Sequence, residues 1–451
     1  MEFKVGFNRQ TVNPDESVPL AGYVNDDKRF HTSQADDICA TCVAISDGDA
    51  TVLVIGFDVT VAGTEFSQLL RQRLEKETGI PQDRMLLAGT HTHAGPGLGE
   101  QKLQTWFPEI ERYWVKFANG VSEAARLAIA DLKPARIFTG SVETESLNFV
   151  KHYKARHKVT GEISYIGDNF GDEKNTTVID HATKGDPTLH VVKFVRDGGR
   201  DVVLSNFRGH PHFDGGFTKY ILSPSFIGPF RRALESIMDC DVLYLQGASG
   251  NVNTTTRLGK ERRYTCAQSH GMALAAYAAE CMYSHMKEVE AGPIRNVQVE
   301  FWGERAKVDE SLLEIAYKVS DLWDETADRQ KCIELGMPYG IRSPFLAHAI
   351  IGNSHRKDID YRMVLNAVAV GDFLSIVTFP GELFDSLSER IEEDSPFQTT
   401  LVMGYAHHQI GYMPTLNSYK YTSYETDITR FAPGTGEKVV AKYVEMLNGL
   451  K

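Results

Sequence analysis

The sequence has few cysteines, no long apolar run and a deficit of positive charge. Six cysteines among 451 residues are too few and too scattered for a disulfide-stabilised fold, and they indicate reduced thiols. No stretch approaches the roughly 18 consecutive apolar residues that a transmembrane helix needs. With 48 Lys and Arg against 60 Asp and Glu, the net charge of -12 argues against nucleic acid or an anionic membrane as the main partner. A small-molecule substrate is the favoured partner, and no feature indicates an oligomeric state.

Two local features have ordinary interpretations. The first residues carry no basic segment followed by an apolar one, so we recognise no secretory signal and expect a cytoplasmic protein. Cys39 and Cys42 match the C-x-x-C pattern of redox and metal sites. They lie in the predicted strand 38–45, where residues three apart point to opposite faces, so we interpret them as core residues.

The overall composition is that of an ordinary globular protein with a sizeable core. Hydrophobic residues make up 42% of the chain and charged residues 24%. We find no internal repeat, no low-complexity segment and no clear linker. Strand-like apolar runs alternate with helical patterns along the chain, so we predict a single α/β catalytic domain over residues 1–451.

The segment 85–97 reads MLLAGTHTHAGPG and contains two closely spaced histidines. Its first half is a short apolar run typical of a buried strand, and it stops in a turn rich in Gly, Thr, His and Pro. Residues two apart on a strand point to the same side, so His91 and His93 should face one space at the strand's carboxyl end. Neutral imidazole is a common zinc ligand and titrates near neutral pH. The pattern indicates a metal site or an acid–base pair, with two surface histidines as the alternative.

The residues before this segment predict a β-α-β unit. A buried strand at 52–57 is followed by a helix over 64–78 and then by the strand of the H-x-H segment. Short connections of this kind imply adjacent parallel strands. Asp58 and the two histidines should therefore emerge at the same edge of one sheet.

Three more predicted strands end in residues that suit a metal or polar site: His210 with His212, the glycine-rich turn around Asn251, and Glu382. Glu382 is predicted to open a helix, where a carboxylate is favoured by the helix dipole. Ligands cluster outside the carboxyl ends of strands in open α/β sheets. Two or three histidines with one carboxylate would suit a catalytic zinc, so a metal hydrolase is the leading hypothesis from the residues alone.

Three long segments have less decisive patterns. The polar segment 152–184 is expected to be a long loop of the kind that often contacts or covers a substrate. The segment 264–289, dense in alanine and methionine, is predicted to be one helix. The segment 330–355 is predicted to be irregular.

Two known arrangements that use an H-x-H motif do not fit. A metallo-β-lactamase-like site would need H-x-H-x-D-H, whereas Ala94, Gly95 and Pro96 follow His93. An amidohydrolase barrel would need eight β-α repeats, which we cannot lay out in this sequence.

Several motifs spread over most of the chain form one pattern: LAGY at 20–23, GFD at 56–58, GTHTHAGPG at 89–97, the stretches 206–211 and 246–253, TFPGELF at 378–384 and IGYMPT at 410–415. The pattern resembles the neutral/alkaline, non-lysosomal ceramidases and their bacterial relatives. The resemblance implies the fold of the ceramidase catalytic domain, with mixed β-sheets flanked by helices. It also implies a zinc-dependent hydrolase that cleaves a linear N-acyl amide.

The resemblance assigns roles to individual residues. Four residues match the family's zinc ligands, and His93 matches its second active-site histidine, near the scissile amide; the four are His91, His210, Glu382 and Tyr412. Tyr412 would not be chosen on chemistry alone, because the phenol pKa of roughly 10 must be lowered by the metal. Asn251 and nearby backbone N–H groups are expected to help hold the oxyanion.

The sequence also departs from the family. Asn253 stands where ceramidases have a serine, and Lys151 is the best match to an active-site arginine; we keep both as candidate catalytic residues. A lysine cannot replace the bidentate fork of an arginine. The carboxy-terminal immunoglobulin-like domain of the ceramidases is expected to be missing, since the sequence ends soon after the Tyr412 motif.

These observations predict hydrolysis by metal-activated water, because Asn253 cannot act as a serine nucleophile. The segments beside the proposed site, 151–158, 167–175 and 417–427, are polar, whereas extracting a lipid from a membrane calls for an exposed apolar rim. Long-chain ceramide is therefore not the expected substrate. A zinc hydrolase of a carbohydrate or other polar substrate, and a non-catalytic zinc-binding protein of the same fold, remain alternatives.

Overall fold

The computed structural model of the protein describes residues 2–23, 29–98, 107–168, 175–213, 218–259, 263–355 and 360–451. Most of the longer described strands lie in one larger mixed sheet. Its order is Cys240–Gln246, Asp201–Phe207, Thr188–Arg196, Lys133–Glu143, Lys4–Thr11, Cys39–Ser46, Thr51–Phe57 and Met85–Gly89, with Lys287–Val289 also paired to Lys133–Glu143.

A smaller mixed sheet packs against the larger one. Its order is Ile294–Gly303, Tyr361–Val370, Leu374–Thr378 and Thr399–Met403. Apolar side chains of both sheets share one buried cluster, in which Val54 and Leu204 of the larger sheet join Val368 and Ile376 of the smaller one. The two sheets therefore form a sandwich.

Helices cover the outer faces of the sandwich. Among the described helices, four lie on the larger sheet, two on the smaller sheet and four in the carboxy-terminal half beside them; in that order they are Thr64–Thr78, Pro108–Ala130, Ile227–Met238 and Ala267–Ser284, then Asp385–Glu393 and Thr435–Leu450, then Leu313–Thr326, Arg329–Gly336, Pro344–Ser354 and Tyr424–Ile428. Within the described residues, no helix is both long and apolar enough to cross a membrane. The predicted fold class, mixed β-sheets flanked by helices, is confirmed.

Strand periodicity explains the layering. Along Thr51–Phe57, Leu53 and Ile55 pack under the helices, whereas Val52 and Val54 face the second sheet. Both faces are covered, so the strand is apolar throughout, and each fully buried Leu or Ile contributes about 1.5–3 kcal/mol. Cys39 and Cys42 are likewise buried in a strand and are free thiols, which agrees with their interpretation as core residues.

The predicted β-α-β unit is confirmed. Thr51–Phe57 and Met85–Gly89 are adjacent and parallel, with Val54 opposite Leu86. Asp58 does emerge at the same edge as the histidines, but it is fully buried. Both of its carboxylate oxygens accept hydrogen bonds from Arg231, at 3.0 and 2.6 Å. Asp58 is therefore a structural anchor beneath the H-x-H turn.

The prediction of a long loop at 152–184 is wrong for the described part of that segment. The strands His152–His157, Ile163–Gly167 and Thr176–His181 form an antiparallel three-stranded sheet. A small buried cluster that includes Tyr153, Ala155 and Ile166 supports it. The local sequence looked polar because most of the other side chains in this sheet face outwards.

Two further element predictions need correction. The helix expected at 264–289 ends at Ser284, and Lys287–Val289 is a strand. The segment 330–355 is largely helical. The Ser343 hydroxyl accepts a hydrogen bond from the Leu346 N–H, and Pro344 occupies the first helical turn. Ser-Pro at a helix start is a recognised capping signal, so this helix was predictable from the sequence.

His270 predicts a loss of stability in acid. Both ring nitrogens are buried without a hydrogen-bond partner among the described residues, and the ring packs against Phe213 and Phe226. Burial lowers its pKa to about 3. Between pH 6.5 and that value the unfolded chain takes up a proton that the folded chain does not, so His270 destabilises the fold as the pH falls.

We expect His270→Phe to remove this contribution. The free energy of unfolding of the variant relative to the native chain should rise by about 2 kcal/mol between pH 7.5 and pH 5.0. Urea unfolding at the two pH values measures the change. Identical pH dependence in both proteins would contradict the assignment.

Candidate metal centre

The H-x-H motif lies in a turn after its strand. The strand Met85–Gly89 ends before His91, which has a φ of 63°, in the left-handed region that few residues other than glycine adopt. The His91 N–H donates to the Val59 carbonyl at 3.0 Å and holds this conformation. Strand alternation is therefore not what aligns the two imidazoles. They nevertheless face one space, and His91 Nε2 lies 3.3 Å from His93 Nε2.

His210 brings a third ring to the same point. It follows the strand Asp201–Phe207, and its Nε2 lies 2.9 Å from the Nε2 of His93. The candidate ligand nitrogens of His91, His93 and His210 all lie within 4.8 Å of one another, and all three residues are buried. This cluster could hold a metal ion.

Backbone carbonyls orient two of these rings. The Nδ1 of His91 lies 2.9 Å from the Thr60 carbonyl, and the Nδ1 of His210 lies 3.2 Å from the Ser249 carbonyl. A carbonyl oxygen only accepts, so each Nδ1 donates its hydrogen and each Nε2 keeps its lone pair. Histidines that bind metals are commonly held in this way.

An aromatic ring supports the same pair of histidines. Tyr405 stacks on His91 with ring centroids 3.8 Å apart and planes inclined by 22°. The Tyr405 hydroxyl shares a 2.8 Å hydrogen bond with the Ser249 hydroxyl, and the Ser249 carbonyl orients His210. His91 and His210 are thus positioned by one connected set of groups.

Glu382 and Tyr412 lie on two short paired strands, and Glu382 reaches the histidines. Glu382–Leu383 runs parallel to Tyr412–Met413, with Glu382 opposite Tyr412. Glu382 Oε2 lies 3.6 Å from His91 Nε2. The prediction that Glu382 opens a helix is wrong, because the helix is Asp385–Glu393.

Tertiary hydrogen bonds keep Glu382 in an extended conformation. Its N–H donates to the Gly411 carbonyl at 3.0 Å, and the Gly250 N–H donates to the Leu383 carbonyl at 2.9 Å. A Cβ at Gly250 would lie only 2.4 Å from the Glu382 carbonyl oxygen, so the glycine-rich turn must approach this strand without a side chain. Neither contact has a local sequence signal.

Glu382 and the histidines offer donor atoms that a cation could bind. Glu382 Oε2 is buried and has no hydrogen-bond partner among the described residues. Burial raises the pKa of Glu382 to about 7, against opposing effects of Lys151 and Tyr412. Burial also lowers the pKa of His91 to about 3, so its lone pair stays available. A divalent cation would accept the lone pairs and neutralise the carboxylate, and this nitrogen and oxygen donor set fits zinc.

His93 is packed differently from the other two histidines. Its Nδ1 is buried without a hydrogen-bond partner in the described parts of the chain. A Cβ at Gly22 would lie 2.6 Å from its ring, so glycine is required in the LAGY motif. The rings of Tyr23 and His212 lie 5.7 and 4.9 Å away, centroid to centroid. Among the described residues no carbonyl contacts its Nδ1, so His93 is not held by the backbone contact that orients His91 and His210.

The structure ties Asn251 to the helix that follows Glu382. Its Nδ2 donates to Asp385 Oδ1 at 2.6 Å, and its Oδ1 accepts from the Asp385 N–H at 2.8 Å. These two bonds dock the glycine-rich turn onto the start of the helix Asp385–Glu393. One N–H of the amide is left over, and its use for an oxyanion remains a prediction.

Asn253 lies beside the cluster and contacts an unexpected carboxylate. It pairs with His210 through a β-bridge, and its Nδ2 donates to Asp168 Oδ2 at 2.9 Å. Burial raises the pKa of Asp168. Residues 169–174 of the predicted polar segment 167–175 lie outside the described residues.

Lys151 is the centre of a buried ion pair. Its Nζ lies 2.9 Å from Glu425 Oε1, and the other oxygen of Glu425 lies 3.0 Å from His152 Nε2. Burial alone would raise the pKa of Glu425, but Lys151 and His152 hold it well below its usual range. Lys151 Nζ also lies 5.3 Å from the centre of the Tyr412 ring. The 417–427 segment therefore reaches the site through Glu425.

Four residues of this arrangement were not among the predicted site residues: Ser249, Tyr405, Asp168 and Glu425. Ser249 and Tyr405 follow strand ends, so the rule that found His210 applied to them as well. Asp168 and Glu425 have no local signal, because they are defined only by contacts with residues distant in the sequence.

No family model matches the chain. Solved structures do match it over its full length. Neutral ceramidase from Pseudomonas aeruginosa has a TM-score of 0.70 at 18% sequence identity, and the match covers 100% of this chain and 74% of that chain. A structure of ceramidase complexed with C2 has a TM-score of 0.69 at 15% identity, covering 100% of this chain and 75% of that chain. The fold of this chain is therefore that of neutral ceramidase.

Proposed function

We propose that the protein is a zinc-dependent hydrolase that cleaves a linear N-acyl amide. The observation that carries the proposal is the meeting of three imidazole side chains beside the buried Glu382, whose Oε2 has no hydrogen-bond partner among the described residues, in a chain with the neutral-ceramidase fold. The proposed ligands are His91, His210, Glu382 and Tyr412. Zinc bound there would act as a Lewis acid and lower the pKa of a coordinated water to about 7.

The side chains around this point have separable roles. His91 and His210 are held by carbonyls in the tautomer that leaves Nε2 free. Glu382 supplies negative charge, and the Lys151–Glu425 pair borders the Tyr412 ring. In this proposal the second amide N–H of Asn251 donates to the developing oxyanion. Asn253 orients the Asp168 carboxylate by donating a hydrogen bond to it.

In this proposal His93 acts on the substrate and does not bind the metal. Burial keeps its pKa well below the usual range, so the ring is neutral at pH 7. A neutral imidazole can donate one N–H to the amide carbonyl and accept a hydrogen bond at its other nitrogen. Its Nδ1, which has no hydrogen-bond partner among the described residues, suits this role.

The same geometry favours a small polar substrate over long-chain ceramide. The support is the pair of buried polar contacts Lys151 with Glu425 and Asn253 with Asp168, whose hydrogen bonds an acyl chain could not replace. Leaving such buried groups without their partners costs roughly 1–3 kcal/mol each, more for charges. We therefore propose short-chain or polar N-acyl compounds as the substrate class.

Competition between substrates tests this proposal. Zinc-loaded protein is offered a short-chain and a long-chain N-acyl amide of the same amine in detergent, with chelator-treated protein as the control. We expect faster turnover of the short-chain compound and none after chelation. A rate that climbs steeply with acyl length would overturn the substrate class and leave the metal chemistry intact.

Hydrolysis of a carbohydrate or another polar substrate is the second candidate, and the polar Asp168–Asn253 contact favours it. A zinc-containing protein that turns over sugar-derived amides or esters but no simple N-acyl amine would select it. Absence of turnover with every compound, at full zinc content, would select a non-catalytic zinc-binding protein.

A further inference from the structure

One cavity has no proposed metal ligand in its lining, although Tyr424, which lines it, packs against Tyr412 with ring centroids 5.9 Å apart. It has a volume of about 470 Å³ and is bordered by the helices Pro344–Ser354 and Tyr424–Ile428 and by the start of the strand Tyr361–Val370. Cavities of roughly 300–1,000 Å³ are typical of small-molecule sites.

A buried arginine stands behind one wall of this cavity. Arg305 is 6% exposed, and its Nε and Nη1 have no hydrogen-bond partner within the described ranges. In the described parts of the chain, no carboxylate lies within ion-pair distance of it. A buried charge without a counter-ion is costly, so the positive charge at this position calls for an anion nearby.

Arg305 orients two neutral donors towards the cavity. Its Nη2 donates to Asn353 Oδ1 at 3.2 Å and to the Tyr361 hydroxyl oxygen at 3.0 Å, and both of these residues line the cavity. Because their oxygens accept from Arg305, the Asn353 amide N–H groups and the Tyr361 O–H are left as donors. Neither donor has a protein acceptor among the described residues, although Asn353 is only 7% exposed.

The other walls of the cavity carry one more arginine and several apolar side chains. Arg430 also lines the cavity, and its guanidinium lies 5.7 Å from the Tyr361 ring centre. Phe345, Ala349 and Ile428 give the cavity an apolar side. One side thus presents hydrogen-bond donors with Arg305 behind them, and the other presents hydrocarbon.

We propose that this cavity binds a small carboxylate with an apolar body. The carboxylate accepts hydrogen bonds from Tyr361 and Asn353 in the field of Arg305, and the apolar body lies against Phe345 and Ile428. Hydrogen bonds to a charged acceptor are about twice as strong as neutral ones, so a carboxylate should bind more tightly than the corresponding neutral amide. The site does not depend on the proposed metal chemistry.

Calorimetric titration of the zinc-loaded protein with hexanoate tests the site, with hexanamide and inorganic phosphate as comparison ligands. We expect hexanoate to bind at least about tenfold more tightly than either, since a charged hydrogen bond contributes about 1.5–3 kcal/mol. Arg305→Gln should weaken hexanoate about tenfold. Ala349→Trp, which fills the cavity, should abolish this binding.

Arg362→Gln is the matched control. Arg362 adjoins Tyr361 but is exposed and pairs with Glu300, so its loss should leave hexanoate affinity unchanged. Binding that persists in Ala349→Trp would place the carboxylate at the metal centre and overturn the proposal. Equal affinity for phosphate, or full affinity in Arg305→Gln, would overturn it as well.

Discussion

Replacing His93 by alanine is expected to lower turnover of an N-acyl substrate about 1000-fold while leaving one zinc ion bound per chain. His93 Nε2 is close to the Nε2 atoms of both His91 and His210, at 3.3 and 2.9 Å, so proximity alone does not separate a ligand from a catalytic group. The contacts of the other ring nitrogen, Nδ1, distinguish the proposed ligands from the proposed catalytic group. His91 and His210 are fixed by carbonyls, whereas the Nδ1 of His93 has no partner among the described residues.

Steady-state kinetics and zinc analysis on the same preparation measure both halves of this prediction. His93→Gln, which retains a hydrogen-bond donor, should recover part of the activity. His285→Ala removes an exposed histidine outside the site and should change neither quantity. Loss of zinc from His93→Ala would instead make His93 the third histidine ligand.

Asp58→Asn is expected to destabilise the protein by about 3–5 kcal/mol, because it leaves the buried guanidinium of Arg231 without a counter-charge. Asp58 is completely buried and Arg231 is 7% exposed. The second oxygen of Asp58 also accepts the Cys39 N–H at 2.9 Å. The Asp58 carbonyl lies under Gly95, where an added Cβ would approach it to 2.8 Å. The ion pair therefore supports the turn that carries the histidines.

A double-mutant cycle isolates this effect. Urea unfolding of Asp58→Asn, Arg231→Met and the double variant should show a large coupling, with the double variant more stable than the sum of the single losses predicts. If Asp58→Asn costs less than about 1 kcal/mol, in the range of exposed pairs, the structural role assigned to Asp58 is wrong.

Sequence patterns predicted the sheet-forming parts of this fold well, for a physical reason. Thr51–Phe57 and Met85–Gly89 are buried on both faces, so their runs are continuously apolar and easily recognised. The sheet at 152–181 was missed because only a few of its side chains are buried. The helix Pro344–Ser354 was missed although its Ser343 cap was visible in the sequence.

The candidate site was predictable only in part. His91, His93 and His210 follow strand ends, and such positions meet at one sheet edge in α/β folds. The placement of Glu382 was not predictable from its surroundings, because a two-residue strand exists only through its pairing with Tyr412–Met413. Glu425 was invisible for the same reason, since its contact with Lys151 joins segments far apart in the chain.

The zinc content of purified protein tests the central claim most directly. Elemental analysis of the native chain, His91→Ala, His210→Ala and the control His285→Ala is made after the same zinc loading and dialysis. We predict about one zinc per chain in the native and control proteins and a large loss in the two site variants, because each loses an Nε2 ligand from the cluster. Equal zinc content in all four proteins would contradict the metal centre.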